Sequence, residues 1–290
     1  MMLRLGLEIV DRIVAAVPAH VAYAFADLGG DLWYVAAPAR RRLVAANLAR
    51  VCAATGRPTT GRTFTKLLRS AFRNHARYYV ELLRGPHYPL DRITEIVDVP
   101  DWQAFDAALR GRPGILVTSH IGNFEPFGSF VAAHGYRPLS PIEEIEPREL
   151  YEFLAARRGG SRIDLVTVRE STRPLIRRLR EGGLVGIIGD RDLAGDGRSV
   201  EMFGHPTTIP IGPAWLAVSH RAALIVGRCL RIGPDRFRAE GEPMEVPASG
   251  DRRADVAMLV DGIAARFERD IGEAPEQWWG AFQPFWPDLT

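Results

Sequence analysis

The hydrophobic period of this chain of 290 residues changes at Pro86. Before it, apolar residues recur at helical spacing. In residues 3–17, Leu3, Leu7, Val10, Ile13, Val14 and Val17 fill one face, opposite Arg4, Glu8, Asp11 and Arg12. Pro18 ends that pattern. Further helices are predicted at 19–36, 40–54 and 61–84, the last two separated by the Gly/Pro/Thr-rich 56–61. After Pro86, short apolar runs alternate with helical stretches that end in glycine. Helix 101–110 precedes strand 114–118, and helix 123–133 follows it. Helix 147–158 leads to strand 162–168, and helix 173–181 leads through Gly182-Gly183 to strand 184–189. Residues 222–231 and 235–246 read as two more strands, antiparallel to one another, before a closing helix at 251–270. The expected class is therefore α/β: a mainly parallel central sheet flanked by helices (86–290), with an all-helical N-terminal region (1–85).

Charge divides at the same place. Residues 1–84 carry 13 Lys+Arg against 5 Asp+Glu, and the remainder 24 against 30, within an overall +2. A basic, apolar N-terminal third suits an anionic membrane surface. Two readings of its first helices stand: both pack on the core, or one face packs while another lies on lipid, with Trp33, Tyr34 and the run Arg40-Arg41-Arg42 at the interface. The basic residues are interleaved with Leu, Ala and Val and form no nucleic-acid motif, so no nucleic-acid partner is expected. No run reaches the length of a transmembrane helix. Glu8, Asp11 and Arg12 interrupt the N-terminal apolar run, against a signal peptide. Cys52 and Cys229 make neither a disulfide framework nor a Cys-x-x-Cys. Gly-x-Ser-x-Gly, Gly-Lys-Ser/Thr, His-Glu-x-x-His and Gly-x-Gly-x-x-Gly after a strand are all absent. These absences speak against an α/β-hydrolase, a P-loop enzyme, a zinc protease and a nicotinamide enzyme. No metal and no cofactor is expected.

Ligands of open α/β sheets gather at the carboxyl ends of strands. His120 and Asp190 each directly follow a predicted strand. Glu125 lies five residues beyond His120, across a turn at Gly122 that relaxes the helical restriction on their spacing, and Asn123 suits an N-cap. A neutral histidine can take a proton from a hydroxyl while a carboxylate on its other nitrogen fixes the tautomer. From residue types alone, His120 is either such a base or a structural histidine.

Thr118-Ser119-His120-Ile121-Gly122-Asn123-Phe124-Glu125 resembles the His-x4-Asp/Glu motif of the lysophospholipid acyltransferase superfamily. Within it, the chain resembles the late lipid A (Kdo-lipid A) and phosphatidylinositol mannoside acyltransferases. Gly186-Ile187-Ile188-Gly189-Asp190-Arg191-Asp192-Leu193, Phe203-Gly204 with Ile209-Pro210-Ile211-Gly212-Pro213-Ala214, and Pro275-Glu276-Gln277-Trp278-Trp279 with Gln283-Pro284-Phe285-Trp286 follow in the same order, across roughly 40–288. The resemblance implies a peripheral enzyme on the cytoplasmic face of the inner membrane. It would move a fatty acyl group from an acyl thioester, acyl-CoA or acyl carrier protein, to a hydroxyl of a glycolipid or phospholipid. His120 would be the base and Glu125 its orienting acid. The helix opening near Asn123 would offer N–H groups to developing charge or a phosphate. Asp190, Arg191 and Asp192 would line the donor or acceptor side, with Arg158, or its neighbour Arg157, in the site's network. Glu125 matches the lipid A branch, where the mannoside branch has Asp; Gln283-Pro284-Phe285-Trp286 matches the mannoside branch. Trp278, Trp279 and Trp286 either line an acyl groove or pack the terminus. Outside enzymology, a non-catalytic peripheral lipid-binding protein fits the same N-terminal features, and a thioesterase fits the same histidine.

Overall fold

The computed structural model describes residues 2–160 and 163–289. Four helices come first: α1 (Met2–Ala16), α2 (Ala19–Ala36), α3 (Pro38–Ala54) and α4 (Gly61–Arg84). A 3-10 turn at Gly85–His87 leads into α5 (Leu90–Ile96), β1 (Val97–Asp98), α6 (Trp102–Leu109), β2 (Gly114–Thr118) and α7 (Phe124–Ala133). Next are β3 (Leu139–Ile142), α8 (Arg148–Gly160), β4 (Asp164–Thr167), α9 (Thr172–Arg180) and β5 (Leu184–Ile188). The chain continues through β6 (Arg198–Met202), β7 (His205–Ile209), α10 (Gly212–His220), β8 (Ala223–Gly233), β9 (Arg236–Met244) and α11 (Arg252–Glu273), ending in three 3-10 turns.

Seven strands form one sheet in the order β1-β9-β8-β2-β5-β3-β4, and only the β8–β9 pair is antiparallel. β2 lies between two parallel neighbours, β5 and β8, so it carries a nearly continuous apolar run, Gly114-Ile115-Leu116-Val117. The expected α/β class with a helical N-terminal region is the one found. The strand expected from residue 162 is seen over Asp164–Thr167; positions 161 and 162 lie outside the described residues. α5, β1, β3, α10 and the β6–β7 hairpin were not foreseen. β3 contains Pro141 and spans four residues. α10 is brief and weakly patterned. The β6–β7 hairpin turns on Phe203 and Gly204, both at positive φ, which suits the right-handed twist of a two-residue hairpin.

The N-terminal helices share the sheet's core. Val44 and Leu48 of α3 and Leu68, Ala71 and Phe72 of α4 join Ile115, Val117 and Trp286 in one buried cluster. α1 is turned against its own pattern. Its acidic Asp11 is buried, held by Arg157 at 2.8 Å and His87 at 3.1 Å, whereas Leu3, Val10 and Ile13 of its apolar face are exposed.

A buried polar hub ties these helices to the sheet. Glu81 of α4 receives the Arg231 guanidinium from β8, the Tyr23 hydroxyl from α2 at 2.7 Å and the Asn123 amide at 2.8 Å. Arg231 also reaches Asn74 at 2.7 Å. The Arg231 and Glu81 side chains are 4% and 1% exposed, so neither charge has water to fall back on. Glu81→Ala is expected to lower unfolding stability by about 3–5 kcal/mol, because it strands the Arg231 charge; urea denaturation checks this.

Candidate active site

β2 and β5 are in register, Thr118 opposite Ile188. His120 and Asp190 each lie two residues beyond those partners, at the carboxyl edge of the sheet. There the His120 Nδ1 meets Asp190 Oδ1 at 2.5 Å, and the His120 backbone N–H donates to Asp190 Oδ2 at 3.0 Å. The Trp278 indole N–H adds a further bond to Oδ2 at 3.2 Å. Burial opposes charge on Asp190, but the adjacent imidazole and these donors outweigh it and hold its pKa below the usual carboxylate range. The carboxylate bonded to the imidazole is thus Asp190, seventy positions away, where the sequence pointed to Glu125.

Glu125 lies on the first turn of α7 and turns from His120 toward α8. Its Oε1 is 2.7 Å from Arg158 Nε. Arg158 also donates to the Tyr78 hydroxyl at 2.6 Å. Burial pushes the Glu125 pKa up despite that cation, and it raises the Tyr78 pKa as well. The choice between neighbouring arginines resolves to Arg158, since Arg157 points to Asp11 and packs over Phe153.

Other expected residues divide. Arg191 lines the cavity beside His120 and pairs with Glu143 at 3.0 Å. Asp192 instead closes its own loop, accepting from the N–H groups of Gly195 and Gly197. Asn123 is fully buried. It caps α7 through the Glu125 N–H at 3.0 Å and donates to Glu81, so it stands behind the site. The amides near it are engaged too: Gly122 N–H with Gln277 O, Asn123 N–H with Cys229 O, and Glu125 N–H with the cap itself. Those three N–H groups are therefore not offered to a ligand.

Gly122 makes this junction possible. Its φ is +60°, and a Cβ there would lie 2.0 Å from the Cys229 carbonyl oxygen. The C-terminal segment closes the other side, with Trp279 N–H donating to His120 O at 2.9 Å. Trp278 and Trp286 are fully buried, Trp278 with its N–H on Asp190. Trp279 instead faces the cavity, its ring edge-on to His120 at 4.5 Å.

Two cavities meet here. The larger, about 1480 Å³ including its open mouth, holds His120, Arg158, Arg191 and Trp279. The second, about 670 Å³, is an apolar slot between the sheet and α7, lined by Leu116, Phe124, Phe127, Ile163 and Ile225. Ile187 and Ile188 of β5 line both. Among the described residues no three His, Cys, Asp or Glu side chains converge to hold a metal ion.

His120 thus faces a buried carboxylate across paired parallel strands, beside an apolar slot. Residues 5–286 match the family described as bacterial lipid A biosynthesis acyltransferase. The chain belongs to that family. It is 30% identical over 285 residues, 95% of this chain and 88% of the relative, to the phosphatidylinositol mannoside acyltransferase of Mycolicibacterium smegmatis. It is 30% identical to the like-named protein of Mycobacterium tuberculosis over 229 residues, 76% of this chain and 70% of the relative. The chain is accordingly an acyltransferase. Residues that bear on this site but escaped the sequence reading are Tyr78 and His75, both on the buried stripe of α4 that also carries Leu68, Ala71 and Phe72.

His75 lines the larger cavity. Burial lowers its pKa from the ordinary 6.5 to about 3, helped by the nearby His120 and Arg40. The unfolded chain therefore binds a proton through the window between those values that the folded chain does not, and stability must fall as pH drops from 6.5 toward 3. One such proton amounts to at most about 1.4 kcal/mol per pH unit. His75→Phe is expected to flatten the pH dependence of unfolding free energy by up to that slope, as read by urea denaturation across this window.

Proposed function

We propose that this acyltransferase moves a fatty acyl group from acyl-CoA to a hydroxyl of a glycolipid acceptor of the phosphatidylinositol mannoside type, working at a membrane surface. The observation that carries this reading is the His120–Asp190 pair at a large cavity that shares Ile187 and Ile188 with an apolar slot. The relatives' activities and the Gln283-Pro284-Phe285-Trp286 segment favour the mannoside acceptor over lipid A. With Nδ1 engaged by Asp190, the Nε2 of His120 is the nitrogen left to accept a proton.

The acceptor hydroxyl gives its proton to Nε2 as its oxygen attacks the thioester carbonyl. Asp190 steadies the imidazolium that forms. The tetrahedral intermediate then collapses with loss of the thiolate, which takes the proton from His120, leaving an ester and a free thiol. The acyl chain occupies the apolar slot, where burying each methylene contributes about 0.8 kcal/mol. Arg158 and Arg191 face polar parts of the substrates in the larger cavity. The first two helices supply the lipid contact. Leu3, Leu5, Ile9, Val10 and Ile13 of α1 and Phe25, Leu28, Leu32 and Val35 of α2 are exposed, with Arg4, Arg12 and Arg42 exposed nearby. Among the described residues no helix is long and apolar enough to cross a membrane.

Purified protein, acyl-CoA and phosphatidylinositol mannoside in mixed vesicles test the reading, with thiol release followed alongside mass spectrometry of the lipid. Acylated glycolipid should form in step with thiol. His120→Ala should abolish it, and Asp190→Asn should lower kcat by at least about 10²-fold with the fold intact. Vesicle binding without thiol release would support the non-catalytic lipid-binding alternative, and thiol release without a lipid product would support a thioesterase. Normal turnover by His120→Ala would sink the mechanism.

A further inference from the structure

His75 is a polar group of the cavity that the mechanism leaves unused. It is 8% exposed, and its Nδ1 is buried with no hydrogen-bond partner. An imidazole sealed among apolar groups without a partner is a standing cost, typically about 1–3 kcal/mol. Four aromatic rings wall it in: Phe282 at 4.4 Å, Trp33 at 5.2 Å, Tyr79 at 5.5 Å and Trp279 at 5.6 Å between centroids. All four line the same cavity as His120, and Trp279 touches both imidazoles. With Nδ1 closed off, Nε2 is the nitrogen that a molecule in the cavity can meet.

The chemistry of this recess selects its occupant. The reachable Nε2 of a neutral imidazole either donates or accepts according to tautomer, and a hydroxyl can answer in both cases. Ring faces carry negative charge and favour the polarised C–H groups of a saturated ring laid on them. They would equally favour a cationic headgroup, but Arg40 and Arg158 line the same cavity and repel one. An uncharged, saturated, hydroxyl-rich ring satisfies all three conditions.

We propose that the recess formed by His75, Trp33, Tyr79, Trp279 and Phe282 is the seat of a sugar ring of the acceptor, with the His75 imidazole hydrogen-bonding one of its hydroxyls. The proposal rests on the acyl-transfer reading and names where its acceptor sits. A ring held against Trp279 presents another hydroxyl toward His120, so His75 is a positioning and specificity-determining residue.

Two-substrate kinetics with acyl-CoA and phosphatidylinositol mannoside test it in His75→Phe, His75→Asn and His75→Gln. The Phe and Asn variants should raise the acceptor KM at least tenfold, with the acyl-CoA KM moving less than twofold. Gln, whose terminal amide can reach the position of Nε2, should recover most of the loss. An unchanged acceptor KM in His75→Phe overturns the proposal. So does parallel damage to both KM values and to melting temperature whatever residue stands at 75. A second measurement needs neither folding of a variant nor turnover: titration of the wild-type protein with methyl α-mannoside, read by tryptophan fluorescence. A saturable change supports the sugar seat, and no saturable change overturns it. Saturable sugar binding without acyl transfer would sink the acyl-transfer reading alone. Transfer that is indifferent to residue 75 would sink this proposal alone.

Discussion

Everything about the site depends on one close backbone approach, at Gly122. Between the end of β2 at Thr118 and the start of α7 at Phe124 the chain must turn and pass under the Cys229 carbonyl. It does so with a positive φ and no side chain. That crossing brings β8, the β2–α7 turn and the C-terminal 3-10 segment into mutual hydrogen bonding through Asn123 N–H to Cys229 O and Gly122 N–H to Gln277 O. His120 is held from behind by its own backbone, and the Trp278–Trp279 pair is drawn over it from the far end of the chain. A bulkier residue at 122 would have to part these three segments before it could be accommodated.

The electrostatics of the site follow from that arrangement. Two buried carboxylates lie close to His120 in sequence or space, and their surroundings send them in opposite directions. Asp190 receives two hydrogen bonds from His120 and one from Trp278, and it keeps its charge easily. Glu125 has only Arg158 and the Tyr78 hydroxyl to favour its charge, and burial prevails. Behind both, Glu81 joins α2, β8 and the cap of α7 through a single carboxylate. A shift of α2 is therefore felt at the start of α7.

Much of the fold was legible because its signals are local. The helical stripes of α3, α4 and α11, the apolar run of β2 and the placement of His120 and Asp190 after strands all show in short windows. What was not legible is partnership. Glu125 is near His120 along the chain, and only the adjacency of β2 and β5 reveals that Asp190 is nearer in space. Asp192 reads as a site residue because it sits beside Asp190, yet the loop after β5 turns it onto its own amides. His75 was hidden on a stripe of apolar neighbours, where a histidine resembles core. The three terminal tryptophans looked alike in sequence, yet Trp286 packs, Trp278 donates to Asp190 and Trp279 faces the cavity. The inverted seating of α1 escaped periodicity altogether, because a helical wheel separates faces without saying which one meets the protein.

The matching register of β2 and β5 has a consequence for how chains of this kind can change length. His120 and Asp190 stand at equal offsets from a register pair, Thr118 and Ile188. Deleting one residue within either strand would move one partner by about 3.3 Å along the sheet and turn it to the opposite face. No side-chain rotation recovers that. The span from Glu125 to Gly183 is fixed in its own way, through the pairing of β3 with β5 and the reach of Arg158 to Glu125, so insertions belong in the loops between its elements, and β2 and β5 must be inherited as one measured unit.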